Sequence, residues 1–219
     1  MSRAGTLEKL IDRAVRRPRG HLLAQRLRRE RPDATPGELL AELEKQYLRR
    51  VSRLGGAVGA VAAVPAVGTG TALALSSGQL ASFMSSSATY LMAVASLHGV
   101  DVDDVERRRT LLLAALLGEE GAKAVSGELG LGTLYWGKAA LTKLPLSTVR
   151  SVNKALTRRV VRWSATRGGA LVFGRLAPFG IGAVIGYRGT RALGRNVVEG
   201  ARQEFGPAPA TFPAGPTER

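Results

Sequence analysis

From Leu7 onward, apolar residues recur every three or four positions, the period of amphipathic helices. Leu7, Leu10, Ile11 and Val15 share one face of a helix expected over residues 5–17, which Pro18 and Gly20 interrupt. A second basic piece over 21–31 sets Leu22, Leu23 and Leu27 against Arg26, Arg28 and Arg29. Thr35-Pro36-Gly37-Glu38 fits a capping box with proline at the first helical position. Leu39, Leu40, Leu43, Tyr47, Leu48 and Val51 then follow at helical spacing, with Glu42 and Lys45 three apart on the polar side.

The pattern changes at Leu54. From there to Val100 the chain holds no Asp, Glu, Lys or Arg. Two apolar helical pieces are expected, about 54–75 and 80–97, with Ser76-Ser77-Gly78-Gln79 as the turn between them. Each approaches the ~20 residues that span a bilayer core, yet the composition is Ala, Gly, Ser and Val, and Pro65 breaks the first piece. Small residues at four-residue spacing (Gly55 with Gly59, Gly56 with Ala60) permit close helix approach in lipid, and tightly packed soluble cores use the same device. Pro65, Gly68 and Gly70 are expected to kink or end the helix. A membrane hairpin and the buried heart of a soluble helical domain both fit this block.

Beyond it, His98-Gly99-Val100-Asp101 reads as a helix stop, with Gly99 suited to the left-handed position. Asp101, Asp103, Asp104 and Glu106 put negative charge at the next helix N-terminus, where the macrodipole favours it. After Arg107-Arg108-Arg109, residues 111–117 are apolar on all sides, so burial on more than one face is expected. A short helix is expected over about 122–129. Ser147-Thr148 is the expected cap of the next helix, whose apolar face is Val149, Val152, Leu156, Val160 and Trp163. Its flank carries Arg150, Lys154, Arg158 and Arg162 at intervals of four. A row of cations beside an apolar face suits an interfacial helix, and equally an ordinary surface helix packed inward. A second small-residue segment, 168–187, holds Pro178, Gly180, Gly182 and Gly186 and echoes the Pro65 region as a kinked apolar helix. A last helix is expected over about 190–205.

Charge sharpens the picture. The 219 residues include 32 Lys or Arg and 17 Asp or Glu, a net charge of +15. The excess sits in residues 1–53 and 130–206, on either side of the neutral block and a slightly acidic stretch. Such a balance favours polyanions, either nucleic acid or an anionic lipid surface. The neutral helical block beside it favours lipid, and aromatics at only 5% leave little for stacking on nucleic-acid bases. The 27 glycines exceed the usual ~7% and lie mostly inside apolar runs, which points to close backbone packing. No cysteine is present, which removes disulfides and thiolate metal sites. The first 20 residues hold no apolar run of signal-peptide length, so a cytoplasmic, peripherally membrane-associated protein is expected.

The order of these features resembles the EcsC family of bacterial proteins over about residues 37–206. The resemblance is carried by Val64-Pro65-Ala66-Val67-Gly68, Gly99-Val100-Asp101, Asp103-Asp104-Val105-Glu106-Arg107-Arg108, a basic middle, and the late stretch from Pro178 to Gly186. It implies an all-α domain, distantly similar to the lipid-binding senescence domain of spartin-like proteins, with no enzymatic reaction. The expected organisation is a basic helical extension over 1–34, a single compact all-α domain over 35–206, and a disordered Pro-rich tail over 207–219. That domain is built around the apolar hairpin, with the Pro178 helix near its end.

No catalytic, metal or cofactor site announces itself. Gly132 to Lys138 matches the opening of a phosphate-binding loop, but Ala139 stands where Ser or Thr must hold magnesium. Tyr135 and Trp136 are too bulky for backbone amides to wrap phosphate, so the match is one of chance. The aspartates at 101, 103 and 104 lack the spacing of a calcium loop, and His21 and His98 lack zinc-ligand spacing. Gly180, Gly182 and Gly186 do not form a dinucleotide fingerprint. The serines at 76, 77, 82 and 85–87 lack nucleophile motifs and read as packing residues bonded back to the helix. The function expected is non-enzymatic: contact with an anionic membrane surface or an acyl-chain lipid, with a protein partner also open. The alternatives are a nucleic-acid-associated or scaffolding domain, and a two-span integral membrane protein.

Overall fold

A computed structural model of the chain describes residues 3–16, 18–62, 69–129, 137, 144–174 and 181–213. They form α1 (Arg3–Arg16), α2 (Gly20–Glu30), α3 (Pro36–Ala62), α4 (Thr69–Leu97), α5 (Val105–Leu117), α6 (Glu119–Leu129), α7 (Leu146–Gly174) and α8 (Ile181–Phe205). No strand occurs among the described residues, and the fold is compact and all-α.

Local chemistry accounts for the helix ends. The Thr35 N–H donates to Glu38 Oε2 at 2.8 Å and the Glu38 N–H to Thr35 Oγ1 at 3.3 Å, the reciprocal pair of a capping box. Donation to Oε2 from the Thr35 N–H, and from its hydroxyl at 3.1 Å, holds the Glu38 carboxyl below the usual carboxylate range. Asp104 caps α5 by accepting from the Arg107 N–H at 3.0 Å. Gly99, at φ 71°, ends α4 while the Val100 N–H reaches back to the Ala95 carbonyl at 2.9 Å. An L side chain is rarely held at that φ.

Three boundaries differ from expectation. Ser76-Ser77-Gly78-Gln79 is no turn: α4 runs straight through it. Gln79 is buried and its Nε2 donates to Thr190 Oγ1 on α8 at 3.1 Å, so tertiary contacts keep a run of weak helix formers helical. Pro65 and Gly68 lie between α3 and α4, outside the described residues, and Gly70 opens α4. The 168–187 segment is not one kinked helix but divides between the end of α7 and the start of α8. Pro178 and Gly180 fall outside the described residues, while Gly182 and Gly186 lie within α8, which starts at Ile181 rather than near Thr190. Finally, α7 begins at Leu146, directly after Pro145, whose carbonyl accepts from the Val149 N–H at 3.2 Å. Ser147 and Thr148 therefore sit in its first turn instead of capping it.

The small-residue device at Gly55 is used, but with a different partner. α3 packs on α4, yet its most extensive packing is antiparallel against α8. Gly55 meets Gly186 and Thr190, and Gly194 sits over Val51 and Leu48. A Cβ at Gly55 would collide with the Thr190 side chain and the Gly186 carbonyl, so glycine sets this approach. Gly59 is helical in α3.

The core is continuous across the chain. Ile11 and Val15 of α1, Ala24 and Leu27 of α2, and Leu39, Leu43 and Val51 of α3 join it. So do Leu91 and Leu97 of α4, Leu111–Leu117 of α5 and Leu156 of α7. Residues in the 1–34 segment are thus part of the same core: α1 packs on α4 and α5, and α2 on α4. The window Gly78–Leu97 is long and apolar enough to cross a membrane, yet 67% of it is buried inside the fold. Residues of the 207–213 stretch lie against the body of the fold. Phe212 packs on the core beneath the Arg28 guanidinium, 4.3 Å from its centroid, and His98 Nε2 lies 3.3 Å from the Pro207 carbonyl. An aromatic ring with a cation and an apolar bed anchors a segment whose prolines alone suggest disorder. Residues 214–219 lie outside the description.

Candidate cationic surfaces

The row on α7 is presented outward because its helix is locked from behind. Val149, Val152, Leu156 and Val160 are buried, facing α5, on which α7 packs. Buried Asn153 fixes that face: its Nδ2 donates to the Glu106 carbonyl and to Glu106 Oε2 at 2.9 and 2.8 Å, and its Oδ1 accepts from Thr110 Oγ1 at 2.8 Å. Arg150, Lys154, Arg158 and Arg162 are all exposed on the opposite side. Trp163 is helical, but its side chain lies outside the described residues. The apolar face that would insert into lipid in an interfacial helix is therefore already occupied by protein, leaving the charges as the available surface.

A second cationic surface was not singled out in the sequence, where it counts only as part of the N-terminal excess. Along α3 runs an open groove of about 560 Å3 whose described lining is Gln46, Arg49, Arg50, Arg53, Leu54 and Ala57. The capping box starts the helix, Tyr47, Leu48 and Val51 bury its other side, and the i, i+3, i+4 period turns this set outward together. No carboxylate pairs with any of the three arginines among the described residues. Of the acids before them on the helix, Glu42 is held by Gln46 Nε2 at 3.1 Å and Lys45 Nζ at 3.8 Å, and Glu44 by Arg202 at 2.8 Å. The sequence signal was present in Leu48-Arg49-Arg50-Val51-Ser52-Arg53.

Other candidate chemistry falls away. Asp104 serves as a cap, and no group of three or more His, Asp or Glu side chains converges as a metal site among the described residues. His98 sits at the end of α4 with its Nδ1 2.9 Å from the Val94 carbonyl. Ser87 bonds back to the Phe83 carbonyl at 2.9 Å and meets the Tyr47 hydroxyl at 2.8 Å, a packing role as expected. Of the chance phosphate-loop match, only Gly137 is described, buried against Glu204 of α8. Glu204 itself is buried with neither carboxylate oxygen hydrogen-bonded. Burial pushes its carboxyl well above the usual range.

No family model, no curated protein and no solved structure matches this chain.

Proposed function

We propose that this protein is a non-enzymatic helical domain that associates peripherally with anionic membrane surfaces on the cytoplasmic side. The observation that carries this reading is the α7 row: four cations at regular spacing, exposed on a helix whose apolar face is pinned to the core through Asn153. A contact of this kind is electrostatic and lies at headgroup level, without insertion of the helix. Each cation near an anionic leaflet contributes roughly 1 kcal/mol, so the row supplies about a thousandfold in partitioning. The resemblance to EcsC proteins, and through them to lipid-binding senescence domains, supports the same reading. Reversing the row (R150E/K154E/R158E/R162E) is expected to abolish co-sedimentation with anionic liposomes at low salt. Undiminished co-sedimentation of that variant removes the proposal. A nucleic-acid reading has the same charges behind it and makes a different forecast, duplex binding that falls steeply with salt.

A further inference from the structure

We infer that the groove on α3 is a binding site for a phosphate-bearing amphiphile. Arg49, Arg50 and Arg53 hold the phosphate, and Leu54 and Ala57 receive the start of the apolar chain. The inference rests on the anionic-lipid reading above and gives it a second, specific site. α3 packs on α4 and α8, whereas α7 packs chiefly on α5, so the groove and the α7 row belong to different parts of the molecule.

Three features converge. Arg53 stands three and four residues beyond Arg50 and Arg49, a spacing at which like charges on a helix repel. No carboxylate among the described residues forms an ion pair with them, although Glu42 acts on Arg49 from a distance, so an incoming phosphate meets guanidiniums that need break no existing ion pair. Arginine's planar fork is suited to two parallel bonds to phosphate oxygens. The lining also changes character along the helix, from Gln46 and the arginines to Leu54 and Ala57. That run covers about 16 Å at the helical rise, room for a headgroup and the first several methylenes. A free phosphate uses only the first half of this groove, whereas an amphiphile uses both.

The test measures binding of the full chain to dihexanoyl phosphatidic acid below its micellar concentration, beside inorganic pyrophosphate, duplex DNA and vesicles containing phosphatidic acid. The variant R49Q/R50Q/R53Q is expected to lose at least tenfold in affinity for the soluble amphiphile. R49K/R50K/R53K keeps the charge but not the fork, and a several-fold loss is expected. L54N is expected to narrow the preference for the amphiphile over pyrophosphate. The α7 reversal is expected to leave soluble binding intact while vesicle binding disappears. Unchanged affinity in the glutamine variant overturns the site, as does pyrophosphate binding as tightly as the amphiphile, or duplex DNA displacing the amphiphile at lower concentration. If the α7 reversal still sediments with vesicles while the groove variant loses the soluble lipid, the surface proposal falls and the groove stands. Loss of vesicle binding by the α7 reversal with no groove effect sinks the groove alone.

Discussion

Two arginine clusters of nearly identical appearance in the sequence are put to opposite uses. At the start of α5, Arg107 donates to the Leu144 carbonyl at 3.0 Å, tying down the segment before α7. Arg108 donates to the Val102 carbonyl at 2.6 Å and reaches the Val15 and Arg16 carbonyls at the end of α1. Arg109 pairs with Asp12 of α1 at 2.6 Å and contacts Thr157 of α7 at 3.4 Å. The side chains of Arg108 and Arg109 are 18% and 19% exposed. On α3, by contrast, Arg49, Arg50 and Arg53 face outward into the groove with no carboxylate partner among the described residues. Charge on the first cluster is consumed by the fold; charge on the second is left exposed. Net charge therefore overstates the cation available to a membrane.

Breaking the first cluster is expected to cost the most. R108A/R109A removes charged hydrogen bonds that join α1 and α7 to α5, and a loss of about 3 kcal/mol in urea unfolding is expected. The cost is moderated by the Arg109 Nε, which is buried without a partner even in the native fold. A smaller effect follows from touching the other end. D12N leaves Arg109 without its carboxylate, but Asp12 is 43% exposed and solvent takes up part of the loss. About 1 kcal/mol is expected, with a non-additive double-mutant cycle against R109A. Additivity in that cycle, or a neutral R108A/R109A, erases the distinction between the clusters.

How much of this was legible in the sequence follows from where the determinants lie. Helix class, the capping box at Thr35, the glycine stop at Gly99 and the acidic start of α5 depend on residues within four positions of one another, and they appear where the pattern puts them. The full burial of Leu111–Leu117 also followed from an apolar run without a polar side. The turn placed at Ser76–Gln79 failed because Gln79 finds its partner 111 residues away, at Thr190. The packing of Phe212 likewise depends on a residue far along the chain, since Arg28 supplies the cation over its ring. For the candidate sites, the exposed row on α7 was readable from its four-residue interval, but that its apolar face is fastened by Asn153 was not. The groove on α3 required knowing that no distant acid folds back onto Arg49, Arg50 or Arg53. Local pattern specifies elements; the allocation of charge between fold and ligand is decided by long-range partners.

The smallest expected effect is the most discriminating one. Because the α3 arginines brace no other element among the described residues, R49A/R50A/R53A is expected to leave unfolding free energy within about 0.5 kcal/mol of the parent. The direction, if resolved, is toward greater stability, since like charges three and four residues apart on a helix cost roughly 0.2–0.5 kcal/mol per pair. Salt separates this cause from others. Screening at high ionic strength relieves the same repulsion, so added sodium chloride should raise the parent's urea midpoint slightly and shrink its difference from the alanine variant. A loss of stability in the variant means that these arginines hold the fold as Arg108 and Arg109 do. The three cations on α3 would then no longer stand available for phosphate.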